Sequence, residues 1–310
     1  MTVISLFSGA GGLDLGLIKA GNRVVWANDI DESAVASYRR NIGDHIVCSD
    51  IKDVDVRTIP DADVVVGGFP CQGFSLANRL RAVEDERNAL YKFFYRTIQV
   101  KQPKFFIAEN VKGILSLGGG AVVERIVSDF RKAGYVVEKR LVNLADYGVP
   151  QTRQRVIFIG QRRDIGEKSL FRFPEPENGK GRRKGWVTIR EAIGRFPDPD
   201  RPNRVKNHVY SAYKVAFRNF TGHRPTDPDK PCPTILARGN GGGGVCAIPH
   251  YNGRRRLTIR ESAAIQTFPD SFEFVGAMNA CYRQIGNAVP VLFAEKLGEE
   301  LVRLEGDLAR

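Results

Sequence analysis

Over its first 110 residues the chain repeats one unit: a short apolar or β-branched run, a polar or glycine-rich turn, then a stretch patterned as a helix. The apolar runs are residues 3–7, 24–27, 45–48, 64–66 and 105–108, and the helical stretches are 14–20, 32–41 and 89–101. Strands that alternate with helices pair in parallel, because each helix returns the chain to the end where the preceding strand began. The expected fold class is α/β, a Rossmann-like doubly wound and mostly parallel sheet. Residues 121–133 predict another helix, and 136–144 and 155–159 predict further strands. From Phe173 the pattern weakens, with Pro174, Pro176, Gly179 and Gly181 opening an irregular stretch that runs to about Arg256. Order returns at Thr258, where Thr as N-cap and Glu261 three residues on form a capping box and predict a helix to about Gln266. A last helix follows Val289-Pro290, since proline is tolerated in a first turn. The division is a main body over 1–172, completed by 285–310, a smaller irregular domain over 173–258, and a hinge over 259–284.

The formal charge of +12 sits in one place. Residues 171–260 hold 19 Lys and Arg against 7 Asp and Glu, which leaves 28 of each sign in the rest of the chain. A neutral body with one basic appendage is the electrostatic footprint of a nucleic-acid binder, because clustered cations displace the counterions of phosphates. A merely solvated basic face is the alternative on charge alone. The longest apolar runs are strand length and too short to cross a bilayer, and the N-terminus shows no secretory signal. Five cysteines, at 48, 71, 232, 246 and 281, are spaced for neither a disulfide framework nor a metal site. A soluble protein of a reducing cytoplasm, without metal, is expected.

Candidate chemistry falls at the predicted strand ends. The first strand runs into Phe7-Ser-Gly-Ala-Gly-Gly12, a turn where glycines let backbone approach a ligand. A dinucleotide fingerprint would place a third glycine where Asp14 stands. A carboxylate facing the ligand disfavours a pyrophosphate and suits a cationic cofactor such as S-adenosylmethionine. Asp29 follows the second strand, placed for ribose hydroxyls, and Asp50 follows the third, placed for an adenine amino group. Cys71 lies at the end of the fourth strand and Glu109 at the end of the fifth, where parallel sheets do their chemistry. A lone cysteine is more often a small buried hydrophobe; an adjacent strand ending in an acid changes that balance.

Phe7-Ser-Gly-Ala-Gly-Gly12, Pro70-Cys71-Gln72, Glu109-Asn110-Val111, Gln151-Thr-Arg153-Gln-Arg155 and Gly286-Asn287-Ala-Val-Pro290 follow in an order and spacing that resembles the bacterial DNA (cytosine-5-)-methyltransferases. The resemblance covers almost the whole chain, with the basic segment least constrained by it. It implies a class I S-adenosylmethionine-dependent methyltransferase, with S-adenosylhomocysteine as product, acting on C5 of a cytosine flipped from a specific duplex sequence. In that reading Cys71 attacks C6 while Glu109 protonates or hydrogen-bonds N3. Arg153 or Arg155 would lower the Cys71 pKa, and Arg155 would hold the base O2 or a phosphate. The cofactor set is Phe7, Gly9, Ala10, Gly11, Asp29, Ile30, Asp50, Ile51, Pro70, Leu90 and Asn287. Ile30 stands where many relatives carry an aromatic, and Phe69 where a proline is common.

By the same resemblance, 173–258 is a target-recognition domain and 1–172 the catalytic and cofactor-binding domain. Residues 72–88 resemble a loop that closes on DNA, with Gly73 as hinge. The expected DNA-binding set is Ser75, Arg79, Arg81, Gln151, Arg218, Arg224, Arg238 and Asn240. Lys180 to Lys184 read as a solvated or phosphate-facing run. The resemblance further implies a monomer of bacterial or phage type in the cytoplasm, associated with the nucleoid. It would be the modification arm of a restriction–modification system, its endonuclease acting separately. An RNA cytosine-C5 methyltransferase with the same pair of residues, or a DNA-binding regulator without turnover, are the alternatives.

Overall fold

The structure is a computed structural model that describes residues 1–69, 89–212, 225–237 and 248–310. Seven strands form one sheet: β1 (Thr2–Leu6), β2 (Arg23–Asp29), β3 (Ile46–Cys48), β4 (Val64–Gly67), β5 (Phe105–Val111), β6 (Tyr135–Asn143) and β8 (Gln154–Arg162). A two-residue strand β7 (Gln151–Thr152) pairs separately with β9 (Cys232–Pro233). The order is β3-β2-β1-β4-β5-β8-β6, with β1 to β5 all parallel and β8 antiparallel to both its neighbours. The sheet is therefore doubly wound and mostly parallel, as the alternating pattern predicts.

Alternate residues of the central strands feed two different cores, because successive side chains point to opposite faces. Val3, Val64, Val66, Phe105 and Ile107 face one way, toward helices α1 (Gly12–Lys19), α2 (Glu32–Asn41) and α8 (Val291–Leu308). Ile4, Val65, Phe106 and Ala108 face the other way, toward α3 (Ala89–Lys101) and α4 (Ala121–Lys132). Burial on both faces explains why these strands read as unbroken apolar runs. The second face is aromatic: Phe69, Tyr91, Phe94, Phe106 and Phe130 meet with ring centroids 4.5–5.9 Å apart. Phe69 thus packs into a ring cluster where a proline would leave a gap.

A third core gathers α5 (Ile189–Ile193), α6 (Ile259–Ile265) and α7 (Met278–Asn287) with Ile235, Leu257, Phe268, Phe272 and Phe274. It joins residues expected in the irregular domain to residues expected in the hinge, and the expected division at 284/285 falls inside α7. Arg260 is fully buried in it, its guanidinium donating to the carbonyls of Lys206, Pro269 and Phe272. Among the described residues no helix is long and apolar enough to cross a membrane.

Candidate active site

The chain runs from β1 outward through β2 to β3, then returns to place β4 on the other side of β1. That reversal opens a crevice at the carboxyl ends of β1 and β4, where sheets of this kind bind ligands. A cavity of about 940 Å³ occupies it, lined by the ends of β1, β2, β4 and β5, by Arg155 of β8, and by Gly286 to Val289 at the end of α7 and just beyond it.

Two groups of side chains face this cavity. The first surrounds the turn after β1. Phe7 adopts φ +56°, a left-handed conformation that costs a non-glycine residue about 1–2 kcal/mol. Gly9 follows in the same region, and its N–H donates to Asp29 Oδ2 at 2.7 Å. A Cβ added at Gly9 would meet nothing within 4 Å, so the turn forms an open cradle. The other carboxylate oxygen of Asp29 accepts from the Asp31 N–H at 2.9 Å. Burial pushes the Asp29 carboxyl above its ordinary range, partly offset by those two N–H donors. Ile30 is 65% exposed, an apolar side chain held open to the cleft. Ala10, Asp50, Ile51, Leu90 and Asn287 also line the cavity, and Asp50 spends one oxygen on the Lys52 N–H.

The second group lies at β5 and β8. Glu109 pairs in register with Ile157 and Val111 with Arg155, so Glu109 and Arg155 are diagonal neighbours on one face. Arg155 Nε stands 2.6 Å from Glu109 Oε1, and both side chains are mostly buried. The other oxygen, Oε2, lies 3.1 Å from the position a Cβ would take on Gly68, so the carboxylate reaches across to the end of β4. Asn110, buried beside it, donates to the Phe69 carbonyl at 3.0 Å and so holds the chain just before Pro70. The Glu-Asn-Val motif contained that residue, but only the fold shows what it binds.

Several expected site residues stand elsewhere. Asp14 does not line the cavity; it is fully buried beneath the turn, accepting from Ser5 Oγ at 2.6 Å and Tyr38 Oη at 2.8 Å. The expectation that it faces the ligand is corrected accordingly. Gly11 turns the same way: an added Cβ would strike Ile42 and Tyr38, so it accommodates α2 rather than a ligand. Gln151, expected on DNA, is fully buried, donating to Gln266 Oε1 and accepting from the Ile235 N–H, each at 2.9 Å. Arg153, by contrast, does line the cavity; it is 1% exposed and donates to the carbonyls of Ile235, Gly286 and Ala288. Burial pushes its pKa down to about 9, with the neighbouring Arg155 charge acting the same way and Glu109 opposing. It therefore cross-links the segment after β9 to the turn after α7, at the back of the cavity. Cys71, Pro70, Ser75, Arg79, Arg81, Arg218, Arg224, Arg238 and Asn240 lie outside the described residues.

Sequence reasoning missed Arg283. It lines the cavity and pairs with Asp31 at 2.8 Å, while Asp31 caps α2 through the N–H groups of Ser33 and Ala34. α7 is thereby tied to the turn that carries Asp29 and Ile30. No pattern announced this, because α7 itself was not foreseen.

The family model for C-5 cytosine-specific DNA methylase matches residues 1–224 and 203–303. Type II methyltransferase M.NgoFVII of Neisseria gonorrhoeae is 39% identical, over 98% of this chain and 87% of its own length. Type II methyltransferase M.MthTI of Methanothermobacter thermautotrophicus is 37% identical, over 99% of both. Among solved structures, an E. coli prophage protein described as a candidate DNA modification methyltransferase superposes with a TM-score of 0.77 and 26% identity, covering 99% of each chain. The chain belongs to the C-5 cytosine-specific DNA methylase family.

Proposed function

We propose that the cleft transfers a methyl group from S-adenosylmethionine to C5 of a cytosine turned out of a specific duplex DNA sequence, with Cys71 as nucleophile. Membership of the family makes the chain a DNA (cytosine-5) methyltransferase; the cofactor, the residue roles and the flipped base belong to the proposal. The observation that supports it most is the Glu109 carboxylate, locked to Arg155 and reaching over Gly68, three residues ahead of Cys71.

The first group of residues fits S-adenosylmethionine. The open cradle at Gly9, the Asp29 carboxylate and the exposed Ile30 offer room for a chain, acceptors for ribose hydroxyls and an apolar face for a purine. Bound there, the cofactor would supply an electrophilic methyl group on a sulfonium. Asp29, fixed by two backbone donors, presents its remaining lone pairs to hydroxyls without having to reorganise. At the other group, Cys71 adds as thiolate to C6 while Glu109 protonates or hydrogen-bonds N3, which makes C5 nucleophilic. C5 takes the methyl group, loses its proton, and elimination of the Cys71 thiolate restores the aromatic ring. Arg155 holds the Glu109 rotamer and presents positive charge to the base O2 or a phosphate. Arg153, bound to three carbonyls, holds the back wall of the cavity.

The basic segment is read as the target-recognition unit over 173–258, and the relatives' names, Type II methyltransferases, support a role as the modification arm of a restriction–modification system. Transfer of labelled methyl groups to duplex DNA, followed by bisulfite sequencing, tests the whole reading. Label on one cytosine of a short recurring sequence is expected; equal or better transfer to tRNA, or none to DNA, overturns it.

A further inference from the structure

Residues 178–186 form a closed turn packed against the segment that follows β6, two strands over from β5. The Asn178 N–H donates to the Asp146 carbonyl at 3.0 Å, and Trp186 Nε1 to the Asp146 carboxylate at 2.8 Å. Asp146 lies in the short helical turn that follows β6. Inside the loop, Gly179 N–H donates to the Lys184 carbonyl at 2.8 Å, and Lys184 N–H to the Glu177 carbonyl at 3.0 Å. Asn178 Nδ2 donates to the Gly185 carbonyl, also at 2.8 Å. These bonds shape the turn before any partner arrives.

Every residue from Lys180 to Trp186 is exposed, and four of them are cationic: Lys180, Arg182, Arg183 and Lys184. Two nearby acids are already engaged. Glu177 faces Lys184 at 3.4 Å and Lys296 at 4.0 Å, and Asp146 accepts the indole N–H. Among the described residues, Lys180, Arg182 and Arg183 form no ion pair. Arg140 on β6, stacked 4.4 Å over the Phe173 ring, extends the positive face toward the sheet. The position follows from the topology. β6 runs parallel to β5, separated from it only by β8, so its carboxyl end lies at the Glu109 edge. Two strand spacings put it roughly 10 Å to the side. A duplex that delivers one base into the cleft carries a phosphate charge about every 1.7 Å along its axis, so its flank passes phosphates at that range.

We propose that the 180–186 turn is a second DNA contact, a backbone-phosphate site for the duplex flanking the methylated sequence on the β6 side of the cleft. Lys180, Arg182 and Arg183 neutralise phosphates there, over the exposed face of Trp186. The contact carries no sequence preference, because cations on one turn read charge rather than base edges. This rests on the DNA-methylating reading above, and the experiment separates the two.

Binding of the wild type and of the triple variant Lys180→Gln, Arg182→Gln, Arg183→Gln is measured against salt, on a long duplex and on one trimmed close to the methylated site. On the long duplex the variant is expected to lower the slope of log K against log salt by about 2–3 and to bind at least about tenfold more weakly at moderate salt. On the trimmed duplex the two proteins should coincide, as should turnover at saturating DNA and the affinity for S-adenosylhomocysteine. If the triple variant melts lower than the wild type, the single Arg183→Gln takes its place, with a slope change of about 1. An unchanged slope on the long duplex overturns the second contact and leaves the methyltransferase intact. A wild type that binds duplex DNA without salt dependence, or transfers no methyl group to it, overturns both.

Discussion

Asp14 holds a carboxylate in the interior with two hydroxyls, Ser5 and Tyr38, as its side-chain donors, and burial pushes its pKa up to about 6 from 3.8. Tyr38 in turn meets the half-buried His45 ring at 2.9 Å, which leads the network toward solvent. The sign of the linkage follows from the raised value. The folded state binds the Asp14 proton more tightly than the unfolded chain does, so this stability is present at low pH and lost as pH rises from about 4 through about 6. Wild type should lose about 2–3 kcal/mol relative to Asp14→Asn between about pH 4 and about pH 7, at about 1.4 kcal/mol per unit. Urea unfolding at both pH values checks it; parallel stability curves would contradict it. Asp14 also shows what spacing leaves open. The glycine pattern located the turn after β1, but on a helix each residue advances by about 100°, so Gly12 and Leu13 face the cavity while Asp14 faces the core. Gln151 and Arg153 are similar cases, since their motif carries no sign of which polar side chains will be buried against carbonyls. Glu109 and Arg155 were legible because strand register alone makes them neighbours.

Helices α2 and α3 occupy the residues expected from the sequence; α1, α4 and the seven strands of the sheet depart from expectation by a few residues at their ends, and β7 has no counterpart in the sequence pattern. Caps account for much of the remainder. Thr258-Ile-Arg-Glu261 reads as a capping box, and both reciprocal bonds are present at the start of α6. The same four residues recur as Thr188-Ile-Arg-Glu191 and start α5 with the same box. That signal was equally visible but lay inside a proline- and glycine-rich stretch whose weak periodicity argued for loop. α7 went unforeseen for a different reason: its N-cap is Ala277, without a side-chain cap, and its sequence ends in Gly286-Asn287. The two boxes differ in setting, and Thr258 is fully buried, with its hydroxyl also 3.1 Å from His208 Nδ1. Thr258→Ala should therefore cost about 2 kcal/mol and Thr188→Ala, half-exposed, about 1 kcal/mol or less. Chemical denaturation of the two variants measures the difference; equal losses would show that the buried His208 contact adds nothing.

At the scale of the whole molecule, the sheet order turns a string of strand ends into one cavity. Asp29 and Ile30 come from β2 and its turn, Glu109 from β5, Arg155 from β8 and Asn287 from the far end of the chain, yet all line the same space. The alternation of strands and helices made that crevice predictable, because a doubly wound sheet has its opening where the winding reverses. The third core was not predictable, since its members are scattered over the irregular segment and α5 to α7 and share no single period. Its links to the sheet include Arg153, the Arg283–Asp31 pair, the bonds of Gln151 to Gln266 and Ile235, and those of Ser37 and Asn41 of α2 to Gln284 and Glu273. The central claim remains that Cys71 bonds covalently to a cytosine whose N3 is held by Glu109. Duplex DNA bearing 5-fluorocytosine at the methylated position blocks loss of the C5 substituent. With S-adenosylmethionine present it should therefore accumulate a stable protein–DNA adduct that peptide mass spectrometry maps to Cys71. No adduct, or an adduct mapped to another residue, would contradict the account.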